Sequence, residues 1–177
     1  MKIFTVNNKS EEKFLRQKTA DFDFGKFTKK EINDLIKKMR ETMIKAKGIG
    51  LSANQIGLNF KMFIVLIPKT PSFNTDSVNA ITNAQEKFYA IFNPEIIKFS
   101  KKTSVMEEGC LSVPGVYGEV ERPEKITLIG QNKNGEKIKI KAEGLLARVF
   151  QHETDHLNGI LFIDKCKNVY AIKKSEL

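Results

Sequence analysis

The chain has 177 residues, of which 41% are hydrophobic and 29% charged. This length and composition favour one soluble domain spanning residues 1–177, large enough to bury a core. No apolar run approaches the roughly 20 residues that a membrane-spanning helix requires, and the N-terminus carries no secretory signal pattern. Two cysteines are too few for a disulfide framework, which indicates a reducing compartment.

The charge balance is basic, with 30 Lys and Arg against 21 Asp and Glu and a net charge of +9. Most of the excess is lysine dispersed along the chain, and arginine occurs only at Arg16, Arg40, Arg122 and Arg148. The short lysine runs do not alternate with aromatic residues as a nucleotide-stacking surface would. We therefore expect a solvated basic surface and no dedicated nucleic-acid site, with an RNA- or ribosome-associated binding protein as the alternative.

The first clear element is a helix that begins after residue 28. Residues 1–27 show little periodicity. Thr28 and Glu31 have the spacing of a capping box, in which each side chain bonds the backbone of the other residue. Apolar residues then recur at helical spacing, at Ile32, Leu35, Ile36, Met39 and Met43. The pattern predicts an amphipathic helix that ends at Gly48.

Residues 48–57 are rich in small, uncharged side chains. Gly48 and Gly50 are two apart, which suggests a backbone that approaches another group closely; a simple helix-to-strand turn is the plainer alternative. Residues 60–67 have the pattern of a strand. Residues 69–87 are polar and predict a surface loop.

The second half of the chain predicts strands followed by one helix. Residues 91–94 return to the core, and a strand follows through residue 99. Residues 125–131 and 136–141 alternate in polarity and are joined through Asn134-Gly135, a strong hairpin signal. Residues 144–157 predict a second helix that is ended by Gly159.

Within this second helix, residues 152–156 spell His-Glu-Thr-Asp-His. Histidines four apart lie on one helix face, so His152 and His156 can bind one metal ion. Glu153 lies next to the first histidine, where a general base can take a proton from water. The motif alone leaves open a chance match with two ordinary hydrogen-bonding histidines.

The rest of the chain must supply a third ligand, because a catalytic site of this kind uses three protein ligands and one open position. The protein has only two histidines, so the third ligand is Cys, Asp or Glu. Cys110 is favoured because the glycine before it permits a close approach and a thiolate binds such metals strongly. Cys166 is expected to be an ordinary free thiol in a solvated chain end.

Three separated segments resemble the signature motifs of peptide deformylases. They are Gly48-Ile49-Gly50-Leu51-Ser52-Ala53-Asn54-Gln55, Glu108-Gly109-Cys110-Leu111-Ser112 and Gln151-His152-Glu153-Thr154-Asp155-His156-Leu157. The second and third match fully, whereas the first has Ser52 where the family usually carries alanine. The resemblance covers roughly residues 28–164.

This resemblance implies a metal centre and an acid/base. The implied metal ligands are Cys110, His152 and His156. Glu153 is the implied general acid/base, beside but not on the metal. The resemblance points to Fe²⁺ as the ion, and the ligand set also accepts Zn²⁺, Ni²⁺ or Co²⁺.

The resemblance also implies how the substrate is held. The Gln55 side-chain amide and the Leu111 backbone N–H are the implied donors to the formyl oxygen, and the Gly50 carbonyl is implied to meet the substrate backbone. The position seven after Cys110 is often arginine in the family and is Tyr117 here. This departure leaves open how the bound peptide is held.

We expect the methionine side chain of the substrate to lie in an apolar pocket formed by Ile49, Leu145 and Val149. Leu145 and Val149 precede His152 on the same helix face. Plain core packing is the alternative for all three residues.

The residue patterns and the resemblance to peptide deformylases together predict an α+β fold, in which small antiparallel or mixed sheets wrap around a central helix that carries His-Glu-x-x-His. The expected activity is metal-dependent removal of the formyl group from N-formylmethionyl ends of newly made polypeptides, in a bacterial-type cytoplasm or a bacterially derived organelle. A zinc endopeptidase is the alternative, although such enzymes draw their third ligand from downstream. We expect no membrane partner and, from the short tail after residue 165, at most transient ribosome contact.

Overall fold

The computed structural model describes residues 1–67 and 86–171. Its helices are α1 (Lys9–Leu15), α2 (Lys29–Lys45) and α3 (Gly144–Leu157), with short 3₁₀ turns at Phe24–Lys26, Ala53–Ile56 and Phe162–Asp164. Its strands are β1 (Gly50–Ser52), β2 (Met62–Ile67), β3 (Lys87–Phe99), β4 (Thr103–Cys110), β5 (Val113–Pro123), β6 (Lys125–Gln131), β7 (Lys137–Glu143) and β8 (Val169–Ala171).

Within this described part of the chain, the strands form two antiparallel sheets around α3. The first sheet has the order β1-β2-β3-β6-β7, and the second has the order β4-β5-β8. Helix α3 contacts strands of both sheets. The predicted α+β fold, with small sheets around the helix that carries His-Glu-x-x-His, is confirmed, and the sheets are antiparallel.

Strand β2 reads Met-Phe-Ile-Val-Leu-Ile because both of its faces are covered. Phe63 and Val65 pack with apolar residues of α3, whereas Met62 and Ile64 pack on the opposite face with residues of α2. An uninterrupted apolar run is what a strand between two helical layers requires. The first sheet is therefore held between α2 and α3.

The capping box predicted for α2 is confirmed. Thr28 Oγ1 accepts a hydrogen bond from the Glu31 N–H, and a Glu31 carboxylate oxygen accepts one from the Thr28 N–H at 2.7 Å. The predicted end of the helix at Gly48 is wrong, since the helix ends at Lys45 and the left-handed residue after it is Lys47, with φ of 57°. Gly48 donates its N–H to the Met43 carbonyl at 3.0 Å and so closes the last turn.

The weakly patterned N-terminal segment contains a helix that the sequence did not indicate. Asn8 caps α1 by accepting from the N–H groups of Ser10 and Glu11. The helix has seven residues, too few for a periodic apolar pattern to stand out. It contributes Leu15, which is fully buried.

The remaining strand predictions agree with the structure, apart from a few terminal residues. The predicted strand at 60–67 begins at Met62, and the predicted hairpin forms from β6 and β7, with Gly135 at φ of 80°. The predicted surface loop at 69–87 falls almost wholly outside the described residues, and Lys87 begins β3. The prediction of one domain over residues 1–177 stays a prediction. None of the described helices is long and apolar enough to cross a membrane.

Gly159 ends α3, as predicted, at a point where the chain packs tightly. It has φ of 75°, and its N–H donates to the His156 carbonyl at 3.0 Å. A Cβ on this residue would collide with the backbone of Arg16, 2.7 Å from its carbonyl carbon. The end of α3 is therefore fixed against the end of α1.

We predict that Gly159→Ala lowers the free energy of unfolding by about 2–5 kcal/mol, because left-handed strain and a backbone clash act together. Gly135→Ala is the matched control, since Gly135 has φ of 80° but a Cβ there would meet only ordinary contacts from 3.6 Å. It should lower the free energy by about 1–2 kcal/mol. Urea denaturation measures both, and equal losses would contradict the role given to the Arg16 contact.

Candidate metal centre and active site

The three predicted metal ligands lie together where α3 meets the second sheet. Cys110 ends β4, and His152 and His156 lie about one turn apart on α3. Their ligand atoms all lie within 4.8 Å of one another, and Cys110 Sγ is 3.1 Å from His156 Nε2. One ion with bonds of about 2.0–2.3 Å to nitrogen and sulfur fits a cluster of this size. The donor set therefore suits a single divalent metal ion.

His152 is oriented by the buried carboxylate of Glu108. Its Nδ1 lies 2.9 Å from Glu108 Oε2, which leaves Nε2 as the nitrogen for a metal. Glu108 also accepts hydrogen bonds from Arg122 Nε at 2.6 Å and from Arg148 Nη1 at 2.8 Å. Burial raises the pKa of Glu108, but the hydrogen bonds from His152 and Arg122 outweigh it and hold that pKa well below the ordinary value. Glu108 is therefore an anion behind the histidine.

The two arginines extend this network across three elements. Arg122 Nη1 donates to Asp155 Oδ2 on α3 at 2.7 Å, and Lys165 Nζ donates to Asp155 Oδ1 at 2.8 Å. Arg148 Nη2 donates to the Ser104 carbonyl on β4 at 2.7 Å. The network thus connects β4, β5 and α3 behind the ligand cluster, where burial makes each paired charge expensive to remove.

Among the protein groups alone, Cys110 and His152 favour each other's charged forms. Burial lowers the pKa of His152, but hydrogen bonds to Cys110 and Glu108 overcome this effect and raise it to about 10. Burial likewise raises the pKa of Cys110, yet the nearby His156 and His152 bring it well below its usual value. The thiolate that a metal needs is therefore favoured in advance, and a bound ion would take the place of the His152 proton.

Glu153 is buried at the wall of the site, with its two carboxylate oxygens in different surroundings. Oε2 lies 2.6 Å from the Ser52 hydroxyl, whereas Oε1 lies against Gly50. Any side chain at residue 50 would displace the carboxylate, because its Cβ would lie 2.8 Å from Glu153 Cδ. Burial raises the pKa of Glu153, although the positive fields of His152 and His156 oppose the rise. A raised pKa suits a group that takes and returns a proton.

Gln55 lies with its amide nitrogen toward the cysteine. Its Oε1 accepts from the Ser52 N–H at 2.8 Å, which fixes the orientation of the amide. Its Nε2 donates to Ser112 Oγ at 3.1 Å and lies 3.6 Å from Cys110 Sγ. Leu111 follows Cys110 in the turn between β4 and β5. Gln55 and Leu111 therefore both lie beside the cysteine of the ligand cluster.

A cavity of about 560 Å³ opens in front of these groups. Apart from the residues predicted for the methionine pocket, the predicted site residues that line it are Gly50, Gln55, Cys110, Leu111, His152 and Glu153. His156 is 1% exposed and approaches the ligand cluster from the protein interior. A cavity of this volume is in the size range of ligand-binding sites.

The three residues predicted for the methionine pocket all line this cavity. Val149 is 6% exposed and also belongs to the core between α3 and the first sheet. Ile49 is 39% exposed and Leu145 is 42% exposed, so core packing does not account for either side chain. Together these side chains form an apolar wall of the cavity that is buried at Val149 and open to solvent at Ile49 and Leu145.

The structure adds to one expectation about the surroundings of the cysteines and corrects another. The Tyr117 ring lies across Gly109, and a Cβ there would come 2.7 Å from Tyr117 Cε1. That Gly109 permits a close approach at a metal stays a prediction. Cys166 does not lie in a solvated chain end. It is half-buried in an apolar cluster that includes Cys110, and its Sγ–H donates to the Phe162 carbonyl at 3.3 Å.

The residues behind the ligands have no motif that indicates their role from sequence; they are Glu108, Arg122, Arg148, Asp155 and Ser112. The residue type is the one indication that the sequence contains. Only four of its 30 basic residues are arginine, and two of those four are Arg122 and Arg148. Arginine is preferred over lysine in buried ion pairs, since its planar guanidinium can bind a carboxylate with two donors. Which carboxylate they meet depends on contacts across elements that spacing does not predict.

We predict that Glu108→Gln weakens metal binding about 10- to 100-fold, because His152 loses the anionic acceptor that orients its ring. Competition with a chromogenic chelator measures the affinity, and circular dichroism establishes that the variant is folded. Glu119→Gln removes an exposed carboxylate from β5 and is the matched control. Wild-type affinity in a folded Glu108→Gln variant would show that this carboxylate does not support the ligand.

The chain was compared with known proteins. The family model described as Polypeptide deformylase matches residues 1–171. A peptide deformylase from Halothermothrix orenii is 46% identical over 138 residues, which cover 78% of this chain and 79% of that protein. A probable peptide deformylase from Synechococcus phage S-SSM7 has a crystal structure that is similar with a TM-score of 0.77 and 39% identity, covering 93% of this chain and 99% of that one. The Thermotoga maritima peptide deformylase structure gives a TM-score of 0.74 and 33% identity, covering 94% and 97%. With this motif geometry and these matches, the chain belongs to the polypeptide deformylase family.

Proposed function

We propose that the cavity residues hydrolyse the formyl amide of N-formylmethionyl polypeptides, with Glu153 as the general acid/base and Cys110, His152 and His156 as the metal ligands. As a member of its family, the protein is a metal-dependent hydrolase that removes this formyl group. The observation that carries the assignment of roles is the position of the Glu153 carboxylate, which lies at the cavity wall beside the ligand cluster.

In this proposal the protein groups divide the work of amide hydrolysis. When bound, a divalent ion supplies Lewis acidity to the reacting carbonyl and acidifies water. Glu153 takes a proton from the attacking water and returns it to the leaving amine. Its burial and its raised pKa support both steps.

Gln55 and Leu111 are proposed to hold the formyl oxygen as negative charge develops on it. The Gln55 amide is already oriented by the Ser52 N–H and Ser112, so little reorganisation accompanies the reaction. Its other contact is with Cys110 Sγ at 3.6 Å, and because sulfur is a weak acceptor, that N–H is suited to a stronger one. The Leu111 N–H follows the cysteine ligand directly.

Ile49, Leu145 and Val149 are proposed to bind the methionine side chain, and Gly50 to bond the substrate backbone. Gly50 lies in β1, at one edge of the first sheet, and lines the cavity. The apolar wall and the partly exposed rim support this assignment, because a flexible thioether fills an irregular apolar cleft well. Tyr117 lines the same cavity at the position often held by arginine, so it is proposed to contact the peptide beyond methionine.

The proposed ion is Fe²⁺, with Zn²⁺, Ni²⁺ or Co²⁺ as ions that the same residues accept. One thiolate and two imidazoles form a ligand set that does not select among these ions by affinity alone. The resemblance favours iron, which also expands its coordination number more readily than zinc. We further propose a bacterial-type cytoplasm or a bacterially derived organelle as the location, and transient ribosome contact through the basic surface.

The zinc endopeptidase alternative has less support. Its third ligand is expected downstream of the second histidine, whereas Cys110 on β4 lies against His156. The binding-protein alternative is disfavoured by a complete acid/base and ligand set at a cavity.

We predict that Glu153→Ala lowers kcat about 10²- to 10⁴-fold and leaves one metal ion bound per chain, because Glu153 transfers protons and is not a ligand. Turnover of formyl-Met-Ala and elemental analysis measure the two effects. Glu143→Ala, which removes an exposed carboxylate at the start of the same helix, should leave both unchanged. Loss of the metal together with activity that returns on reloading would reverse the assignment.

We predict that the Fe²⁺ form is the most active and loses activity in air, whereas the Ni²⁺ and Zn²⁺ forms do not lose theirs. Ferrous iron, and the Cys110 thiolate bound to it, are open to oxidation, whereas Zn²⁺ has no redox chemistry. Apo-protein prepared anaerobically and loaded in parallel with each ion is assayed before and after exposure to air. Equal activities, or an iron form that is indifferent to oxygen, would contradict the proposed ion.

A further inference from the structure

Ser52 places a buried hydroxyl against Glu153. Its Oγ lies 2.6 Å from Glu153 Oε2 and 3.0 Å from the Glu153 backbone oxygen. Both side chains are buried, with Ser52 at 0% and Glu153 at 3% exposure. Within residues 1–67 and 86–171, the hydroxyl donates to no other residue.

The alternation of β1 explains why this hydroxyl meets the carboxylate. Leu51 points into the core beneath α2, so Gly50 and Ser52 point to the other face, toward α3. On that face Gly50 leaves room for Glu153 Oε1, and Ser52 contacts Oε2. The short strand therefore contacts both oxygens of one carboxylate, in two different ways.

The distances indicate which acceptor receives the serine hydrogen. A hydroxyl has one hydrogen, so it cannot donate fully to Glu153 Oε2 and to the Glu153 backbone oxygen at once. A separation of 2.6 Å is in the range of O–H donation to an ionised carboxylate, and 3.0 Å is at the long end of ordinary hydroxyl bonds. An ionised Glu153 therefore receives the hydrogen on Oε2, while Oε1 receives none from the described residues.

We propose that Ser52 is a positioning residue that binds Glu153 Oε2 and so makes Oε1, which lies against the cavity-lining Gly50, the atom that exchanges protons with substrate and water. The proposal rests on the acid/base role proposed for Glu153. Without the hydroxyl, the carboxylate can rotate about its last bond, and neither oxygen is held toward the cavity. An alanine at residue 52, the residue usual in the motif that this segment resembles, supplies no such donor.

The test compares wild type with Ser52→Ala, Ser52→Thr and Ser52→Val, each loaded with the same ion. Ser52→Ala should lower kcat about tenfold with KM within about twofold, because a hydrogen bond to a charged group that orients the reacting atom is lost. Thr and Val have nearly the same volume and differ in the hydroxyl, so the added bulk is matched between them. Ser52→Thr should exceed Ser52→Val in kcat by about tenfold.

A double variant separates positioning from a general packing effect. In the Glu153→Ala background, adding Ser52→Ala should leave the residual turnover unchanged, because the group that Ser52 orients is gone. A further tenfold loss in that background, equal kcat for Thr and Val, or wild-type kcat in Ser52→Ala would each overturn the proposal. Ser52→Ala, in the wild-type and Glu153→Ala backgrounds, tests the positioning role of Ser52 even if threonine or valine at this position prevents folding.

The same experiments distinguish this inference from the proposed function. If Glu153→Ala keeps wild-type turnover, the acid/base assignment itself fails. If Glu153→Ala loses turnover and Ser52→Ala retains it, the assignment stands and the positioning role of Ser52 is wrong. Metal content and the urea midpoint of each variant show whether a loss of kcat reflects the folded, loaded protein.

Discussion

The hydrogen bond between Glu108 and His152 is the interaction on which the metal site depends most. It fixes the nitrogen that His152 turns toward the cluster, and it joins the second sheet to α3 at the point where Cys110 must meet both histidines. Glu108 and Cys110 are two apart on β4, so one strand delivers both the carboxylate and the thiolate. Hydrogen bonds from His152 and Arg122 hold the pKa of that carboxylate well below its ordinary value although it is buried, and Arg148 donates to it as well.

A second constraint acts from the opposite side, where β1 approaches α3. Gly50 lies so close to the Glu153 carboxylate that a side chain there would displace it. A Cβ at Gly48 would likewise come 2.8 Å from Leu111 Cδ1. Glycines at these positions let the first sheet meet the second across the cavity, so that Gln55 and Leu111 both reach the cysteine.

Several features of the fold and site follow from local patterns in the sequence. The spacing of His152 and His156 on a helix, the capping box at Thr28 and the apolar run of β2 each depend on neighbouring residues alone. Contacts between distant segments do not leave such a pattern. The pairing of Arg122 and Arg148 with Glu108, the Tyr117 ring over Gly109 and the burial of Cys166 all depend on how the two sheets meet.

Every role proposed for this cluster depends on one reaction, the release of formate from a formylated methionine. The most direct measurement follows formate and free amine from formyl-Met-Ala, with acetyl-Met-Ala as the comparison, using anaerobically iron-loaded protein and its Cys110→Ala variant. We expect equal amounts of formate and free Met-Ala, little action on the acetyl peptide, and loss of both metal and turnover in the variant. Cleavage of the Met-Ala bond, or no formate from a chain with one ion bound, would contradict this expectation.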